Sequence, residues 1–220
     1  MMERVSGLRR VKRFPQYLKK LLPGLFLQEL YAQPDVIGAI CPSSRFLAHR
    51  MAKEVAHLQD GLIVELGPGT GVVTQALLDR GVAADRLLAV ESSLAFVQRL
   101  RKRFPHVNIV HGNASDLSQW LPPGTRVAAI VSSLPLCSLP QPIVRVILAQ
   151  WHDLLHDGGI AVQFTYNLRR PRWHHHMQAR QINTQIVWAN LPPAQVSTYA
   201  FNTIKQAVIE HEQSGPEQTC

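Results

Sequence analysis

A short apolar run that leads straight into three alternating glycines constrains the fold of this chain more than any other stretch. Residues 62–66 read Leu-Ile-Val-Glu-Leu, and Gly67, Gly69 and Gly71 follow. Such a run is typical of a buried strand, and the apolar residues after Gly71 recur at helical spacing. Glycines let the backbone turn sharply and approach a ligand closely. The stretch therefore predicts a strand, a tight turn and a helix start, as in the ligand-binding turns of open α/β sheets.

Two acidic residues flank this loop and indicate which ligand suits it. Glu65 stands two residues ahead of the first glycine, and Glu91 ends a second apolar run. A helix start attracts anions, but Glu65 beside it disfavours a pyrophosphate and suits a ligand with an amine and a sulfonium. Glu91 lies 24 residues after Gly67, near the offset at which an acidic residue binds ribose hydroxyls in such folds. The alternative is an ordinary strand-to-helix turn, but the combination favours a nucleotide-like ligand.

The rest of the chain alternates apolar strands with amphipathic helices, which predicts one α/β domain in a chain of this length. Strands are expected at 62–66, 87–91, 107–110, 126–131 and 160–166, and helices at 45–58, 72–78, 93–103 and 140–155. Residues 184–190 and 196–202 predict an antiparallel pair that closes the sheet. The positions expected to face inward in helices 45–58 and 93–103 are Phe46, Leu47, Met51, Val55 and Leu58, and Leu94, Phe96, Val97 and Leu100.

The basic residues are concentrated at the start of the chain. Residues 1–20 hold seven Lys and Arg and one Glu, within a formal net charge of +8 for the whole chain. From Pro15 the apolar positions form a helical stripe that leaves Lys19 and Lys20 aside, which is typical of an interfacial membrane anchor. The alternatives are a helix packed on the domain and an arm that binds nucleic acid. We expect residues 1–34 to bind an anionic membrane surface, 35–210 to form the α/β domain and 211–220 to be a polar tail.

Other composition features favour a cytoplasmic protein without a metal. Cys41, Cys137 and Cys220 are far apart, with no C-x-x-C pair, as expected of reduced thiols. No apolar run approaches the length of a transmembrane helix, and we expect no signal peptide. Residues 174–176 are three consecutive histidines, which cannot all face one ion on a helix, so no metal site is expected.

The sequence E-L-G-P-G-T-G, with an acid ending the next strand, resembles class I S-adenosylmethionine-dependent methyltransferases. Three further pieces resemble one branch of them, the bacterial phospholipid N-methyltransferases: Gly38-Ala39-Ile40-Cys41-Pro42-Ser43-Ser44, Ser132-Ser133-Leu134-Pro135-Leu136 and Gln163-Phe164-Thr165-Tyr166. The resemblance runs from about Gly38 to Phe201. It implies a Rossmann-like fold with a mostly parallel seven-stranded sheet and an antiparallel last strand.

The resemblance also implies S-adenosylmethionine as the cofactor. In similar methyltransferases an Asp accepts a hydrogen bond from the adenine amino group at the position of Asn113. The amide oxygen of Asn113 can accept the same bond, and Asp116 is a nearby alternative. The residues expected to hold the cofactor are Ser43, Ser44, Glu65, Gly67, Gly69, Gly71, Glu91, Ser92, Asn113, Ala114 and Ser132. Of these, the serine pair 43–44 can also simply cap the helix that follows.

Methyl transfer needs the sulfonium carbon and a lone pair aligned at short range, so positioning can supply much of the rate. An amine substrate must also lose a proton. We expect the backbone carbonyls of Ser132, Ser133 and Leu134 and the hydroxyl of Tyr166 to orient that amine. Three arginines after the fifth strand suit a lipid phosphate, which arginine binds in bidentate fashion: Arg169, Arg170 and Arg172.

The predicted substrate is phosphatidylethanolamine, methylated towards phosphatidylcholine by a protein held peripherally on the cytoplasmic face of the inner membrane. Another aminolipid, such as ornithine lipid, is an alternative. A second alternative is RNA adenine N6-methylation, but that family normally shows N-L-P followed by an aromatic residue that stacks on the base. Ser133 and Leu136 stand at those two positions here. A third hypothesis is a non-enzymatic module that binds membranes or nucleic acid and retains the fold without activity.

Overall fold

The computed structural model describes residues 44–155, 158–168, 173 and 176–201. The predicted arm (1–34), the tail (211–220), Ser43 and the three arginines at 169, 170 and 172 lie outside the described residues. The strands are β1 Leu62–Leu66, β2 Leu87–Glu91, β3 Asn108–His111, β4 Val127–Ser132, β5 Ile160–Thr165, β6 Arg180–Val187 and β7 Ala194–Ala200. The α-helices are α1 Arg45–Lys53, α2 Val72–Asp79, α3 Leu94–Arg103 and α4 Gln141–Leu155, and 3₁₀ turns span Ala84–Arg86 and Ala114–Trp120.

The seven strands form one sheet in the order β3-β2-β1-β4-β5-β7-β6. Neighbours from β3 to β5 are parallel, and β7 is antiparallel to both β5 and β6. This architecture confirms the predicted Rossmann-like fold with an antiparallel last strand. The carboxyl ends of the parallel strands meet at one edge of the sheet, which is where open α/β sheets bind ligands. We call this the carboxyl edge.

Each face of the sheet is covered by its own hydrophobic core. Because successive strand residues point to opposite faces, Ile63 of β1 joins the core beneath α1, α2 and α3, whereas Val64 joins the core beneath α4. Glu65 shares a face with Ile63, and its side chain therefore lies towards α2. The central strands β1, β2 and β4 are buried almost throughout, which explains their continuous apolar sequences.

A half-buried carboxylate joins the end of α1 to the far end of the sheet. Glu54, directly after α1, accepts hydrogen bonds from Thr198 Oγ1 at 2.7 Å and from Asn183 Nδ2 at 3.0 and 3.1 Å. It also pairs with Arg50 at 2.5 Å. Burial raises the pKa of Glu54, but the hydrogen bonds and Arg50 outweigh that effect and bring the pKa below 4.5. The end of α1 is thereby held against strands β6 and β7.

Two positions expected in the core are exposed, and those predictions were wrong. Phe46 is 63% exposed and Leu94 is 53% exposed. The buried stripe of α1 runs through Leu47, Ala48, Met51 and Ala52, and that of α3 runs through Phe96, Val97 and Leu100. With 3.6 residues per turn, Phe46 lies opposite its stripe and Leu94 lies more than a quarter-turn from its own. Helix α1 also ends at Lys53, five residues earlier than predicted.

The hairpin strands start earlier than predicted. β6 runs over 180–187 and β7 over 194–200, whereas the expected strands were 184–190 and 196–202. The other strands agree with the sequence to within one residue at each end. Along the part of the chain that the structure describes, no helix is both long and apolar enough to span a bilayer.

Candidate functional site

The three glycines of the loop after β1 are not equivalent. Gly67, Gly69 and Gly71 all have positive φ, at 69°, 54° and 79°, which only glycine adopts without strain. A Cβ added at Gly71 would lie 2.5 Å from the Phe104 ring, so this glycine allows close packing. A Cβ added at Gly69 would have no neighbour within 4 Å. The backbone at Gly69 is therefore open to close approach by a ligand.

The Glu65 carboxyl is completely buried and only half satisfied. Its Oε2 accepts a hydrogen bond from Thr74 Oγ1 of α2 at 2.7 Å. Among the described residues its Oε1 has no hydrogen-bond partner. Burial raises the pKa of Glu65 to about 8, against the smaller lowering effect of the Thr74 hydrogen bonds. A buried acceptor without a partner, directly ahead of the glycine loop, is suited to a cationic group on a ligand.

The Glu91 carboxyl joins the glycine loop to the start of α3. Its Oε2 accepts from Gly69 N at 3.0 Å, and its Oε1 accepts from Ser93 N at 2.9 Å and lies 3.5 Å from the Ser92 hydroxyl. Glu91 is 3% exposed. A carboxylate has about four acceptor positions, so Oε2 keeps capacity for a ribose hydroxyl. The predicted placement of Glu91 and Ser92 beside the loop agrees with this geometry.

Asn113 and Ala114 lie next to Glu91 because the backbone N–H of Gly112 donates to the Glu91 carbonyl at 3.0 Å. Ala114 is buried, whereas Asn113 is exposed. The Asn113 Oδ1 accepts from Ser115 N at 3.0 Å and caps the 3₁₀ turn. One lone pair of the amide oxygen is used locally, and the second is available for the predicted adenine contact.

The loop after β4 lies against the glycine loop. Ser132 and Ser133 are buried, and Ser133 N donates to the Leu66 carbonyl at 2.9 Å. The side chain of Leu134 lies 3.2 Å from the Cβ position of Gly67. The Leu134 carbonyl accepts from both Leu136 N and Gln163 Nε2, at 2.9 and 3.0 Å. Both lone pairs of this carbonyl are therefore used, which leaves no acceptor for an amine at Leu134.

The end of β5 adjoins the loop after β4. Cys137 Sγ lies 3.8 Å from the hydroxyl of Thr165, the last residue of β5. Tyr166 follows directly and is half-buried, with its ring packed edge-to-face on Phe164 at 5.5 Å between centroids. The structure therefore brings Tyr166, the loop after β4 and the glycine loop to the same edge of the sheet.

Ser44 caps α1, as the alternative of a simple helix cap predicted. Its Oγ accepts from Leu47 N at 3.3 Å, and its own backbone N–H donates to Asn190 Oδ1 of the β6–β7 hairpin at 3.0 Å. These bonds explain Ser44 without a ligand. A role in covering the cofactor stays a prediction for both serines of the pair.

Sequence reasoning missed two polar residues that support the site. Thr74 holds Glu65, and Gln163 of β5 holds the loop after β4 through its Nε2. Both are buried at positions where the surrounding sequence is apolar. A polar side chain within a buried strand or a buried helical stripe is costly without a partner, and that was the available signal. Among the described residues, no group of three or more His, Cys, Asp or Glu could hold a metal ion.

The residues at this edge fit S-adenosylmethionine by their chemistry. The unpartnered Glu65 oxygen suits the ammonium of its methionine part, and the Glu91 carboxylate suits its ribose hydroxyls. The open backbone at Gly69, between these two acids, permits a ligand to approach closely. When bound, S-adenosylmethionine supplies an activated methyl group.

Comparisons with known proteins agree with this site. Residues 63–159 match the family described as "Methyltransferase domain". The chain is 28% identical over 179 residues to an ornithine lipid N-methyltransferase of Singulisphaera acidiphila, covering 77% of this chain and 91% of that protein. It is 31% identical over 117 residues to ribosomal RNA small subunit methyltransferase A of Nitrobacter winogradskyi. That second match covers 50% of this chain and only 40% of the relative.

The fold itself recurs in solved structures. A Burkholderia thailandensis 1,6-didemethyltoxoflavin-N1-methyltransferase superposes with a TM-score of 0.60 at 18% identity, covering 89% of this chain and 93% of that one. The glycine loop and the acid that ends β2 both lie within the matched residues 63–159. Residues 63–159 therefore match a methyltransferase domain within a fold that a solved methyltransferase shares, and the cofactor that fits this site is S-adenosylmethionine.

Proposed function

We propose that this protein transfers methyl groups from S-adenosylmethionine to the amino headgroup of phosphatidylethanolamine, at the cytoplasmic surface of the inner membrane. The similarity to an ornithine lipid N-methyltransferase supports an aminolipid substrate, because it extends over 91% of that relative. The similarity to the ribosomal RNA methyltransferase covers only 40% of its length. Ornithine lipid, which that first relative's name specifies, is the second candidate substrate.

The observation that carries the choice of lipid over RNA is the loop after β4. An adenine N6-methyltransferase places an aromatic ring there to stack on the flipped base. This chain has Leu136 at that position, and the leucine is 1% exposed within the core beneath α4. It offers neither a ring nor a free surface for stacking. A primary amine on a lipid headgroup needs no stacking partner.

The proposed mechanism uses position and hydrogen bonding. The residues at the carboxyl edge would hold S-adenosylmethionine, which would supply a methyl group to the neutral amine nitrogen, and the methylated amine would release its extra proton to solvent. The Ser132 and Ser133 carbonyls and the Tyr166 hydroxyl accept the amine N–H groups and direct the lone pair. The arginines at 169, 170 and 172 are proposed to receive the lipid phosphate.

The test is incubation of the full-length protein with methyl-labelled S-adenosylmethionine and four separate substrates. These are vesicles of phosphatidylethanolamine with phosphatidylglycerol, vesicles containing ornithine lipid, vesicles of phosphatidylcholine alone, and ribosomal RNA. We expect label in phosphatidylethanolamine. Label in ornithine lipid alone would replace the substrate, and label in RNA alone would overturn the lipid proposal.

A matched pair of variants tests the role of Tyr166. Tyr166→Phe should lower kcat by about 10²-fold while cofactor affinity stays the same, because a positioned acid–base group contributes about that much. Tyr199→Phe is the control, since Tyr199 lies near the opposite edge of the sheet, paired with Ala161. Equal kcat values for the two variants would remove Tyr166 from the mechanism.

A further inference from the structure

Three apolar side chains lie exposed where α1 meets the β6–β7 hairpin. Leu191 is 80% exposed, Trp188 is 72% exposed and Phe46 is 63% exposed. The hydrogen bond from Ser44 N to Asn190 Oδ1, at 3.0 Å, joins the two segments that carry them. We call Phe46, Trp188 and Leu191 the apolar patch. Large apolar side chains grouped in this way on a surface indicate an interaction site.

The patch lies at the carboxyl edge of the sheet. Gln195 of β7 pairs with Thr165 at the end of β5, and Ala194 pairs with Val187 at the end of β6. Residues 188–193, which connect those strands, therefore project from the same edge as the glycine loop and Tyr166. A surface that binds this patch also faces the site.

The central polar side chain of the hairpin tip is satisfied within the protein. Asn190, at its centre, is 1% exposed, and its Nδ2 donates to the Pro192 carbonyl at 2.7 Å while its Oδ1 accepts from Ser44. Proline at 192 and 193 removes two backbone N–H donors from the tip. The Asn190 side chain therefore adds little to the cost of burying the tip in a weakly polar environment.

The charges around the patch are those that suit an anionic surface. Residues 181–201 contain no Asp, Glu, Lys, Arg or His. Arg45, beside Phe46, is exposed, and no acidic residue occurs from 44 to 53. Residues 1–43, which precede Ser44 in the sequence, include seven basic and three acidic residues. Nearby positive charge with an uncharged apolar tip fits the interface of an anionic bilayer.

We propose that the apolar patch inserts into the interfacial region of a phospholipid bilayer and holds the carboxyl edge of the sheet against it. The indole of Trp188 suits the headgroup level, where tryptophan is enriched. A headgroup could then reach the loop after β4 while its acyl chains stay in the membrane. This inference rests on the proposed lipid substrate, because an apolar surface alone would suit a second copy of the chain as well as a membrane. The lipid substrate favours the membrane.

Tryptophan fluorescence gives a direct test of insertion. Trp151 and Trp173 are 0% and 2% exposed, so a Trp120→Phe protein reports chiefly on Trp188 among its tryptophans. With vesicles of phosphatidylethanolamine and phosphatidylglycerol whose acyl chains are brominated near the headgroup, we expect strong quenching and a blue shift. Unchanged fluorescence with bound vesicles would overturn the proposal.

Paired variants test the consequence for activity. Trp188→Ser combined with Leu191→Ser should lower vesicle flotation and the methylation of vesicle phosphatidylethanolamine at least tenfold. Ile143→Ser combined with Val146→Ser is the control, since these α4 residues are also apolar and 41% and 48% exposed. Both proteins should methylate a monomeric, short-chain phosphatidylethanolamine at the wild-type rate. Equal loss of vesicle methylation in both pairs would contradict a specific role of the patch.

The outcomes separate this inference from the proposed function. If the wild-type protein methylates no lipid but Trp188 is quenched by vesicles, the substrate is wrong and the membrane contact holds. If lipid is methylated and the patch variant floats and turns over like wild type, the membrane contact is wrong and the substrate holds. A lipid-free dimer that the patch variant abolishes, together with unquenched Trp188, would assign the patch to a second copy of the chain.

Discussion

The buried Glu65 carboxyl should make the cofactor-free protein less stable as the pH rises from 6 to 9. Its pKa is about 8 in the folded protein, against 4.5 for an exposed glutamate. The folded protein therefore holds a proton that the unfolded chain has already lost. The stabilisation is fully present below pH 4.5 and is lost as the pH rises through about 8. The difference between the two pKa values corresponds to about 5 kcal/mol in the free energy of unfolding, and about 2.5 kcal/mol of it is lost between pH 6 and pH 9.

Urea unfolding at pH 6, 7, 8 and 9 without cofactor measures this change, with Glu65→Gln as the reference. Glutamine keeps an oxygen for the Thr74 hydroxyl but cannot ionise. The free energy of unfolding changes with pH in both proteins. The difference between their two slopes gives the contribution of Glu65, because histidines and other groups that titrate in this range are common to both. If the two proteins lose the same free energy of unfolding between pH 6 and pH 9, Glu65 does not carry a proton in the folded state and the reasoning fails.

The same carboxyl should release a proton when the cofactor binds. A ligand ammonium beside the Glu65 Oε1 favours the ionised form, so at pH 7 the wild-type protein should release about one proton per S-adenosylmethionine bound. Calorimetry in buffers of different ionisation enthalpy counts that proton. Glu65→Gln should bind more weakly and release about one proton fewer. Equal proton release by both proteins would place the ammonium elsewhere.

Three further expectations follow from single contacts. Gly71→Ala should lower the free energy of unfolding by about 2–4 kcal/mol, because the added Cβ meets the Phe104 ring and the backbone has positive φ. Gly81→Ala is the control, since Gly81 also has positive φ but lies in open space, and it should cost only about 1 kcal/mol in a parallel urea experiment. Glu91→Ala should weaken S-adenosylmethionine binding by about 2 kcal/mol or more, and unchanged affinity in calorimetry would exclude its ribose contact. Glu54→Gln should lower stability at pH 7 by about 1–2 kcal/mol, since its lowered pKa makes the charged form the stabilising one. That stability is lost as the pH falls below 4.5, so wild type and variant should converge in acid.

The sheet was predictable from the sequence because its central strands are buried on both faces. The runs at 62–66, 87–91 and 127–132 are almost continuously apolar. In a chain that alternates strands with helices, such runs are typical of the central strands of a parallel sheet. The edge strand β6 is exposed at most positions, so its apolar pattern is weak and its start was misplaced by four residues. The predicted burial of Phe46 and Leu94, in the first turns of α1 and α3, was wrong for a similar reason. An apolar residue at the start of a helix is compatible with either the buried or the exposed face.

The components of the site could be named from the sequence, but their hydrogen-bond partners could not. The glycines and the acid ending β2 follow from spacing, because the fold requires a turn and a strand end at those points. The hydrogen bonds that use both lone pairs of the Leu134 carbonyl depend on how the loop after β4 packs on β5. That packing joins residues 29 positions apart in the chain and leaves no local pattern.

The two acids beside the glycine loop look alike in the sequence, but their partners give them different tasks. Glu91 is held by backbone N–H groups of Gly69 and Ser93, so its position is set before any ligand arrives. Among the described residues Glu65 is held by Thr74 and its Oε1 has no partner, and its raised pKa makes it neutral at pH 7 until a cation pairs with that oxygen. A neutral nucleoside such as adenosine can therefore use the Glu91 half of the site alone. Its binding should then release no proton, whereas S-adenosylmethionine must ionise Glu65, which makes the positive charge of the cofactor part of what the site recognises.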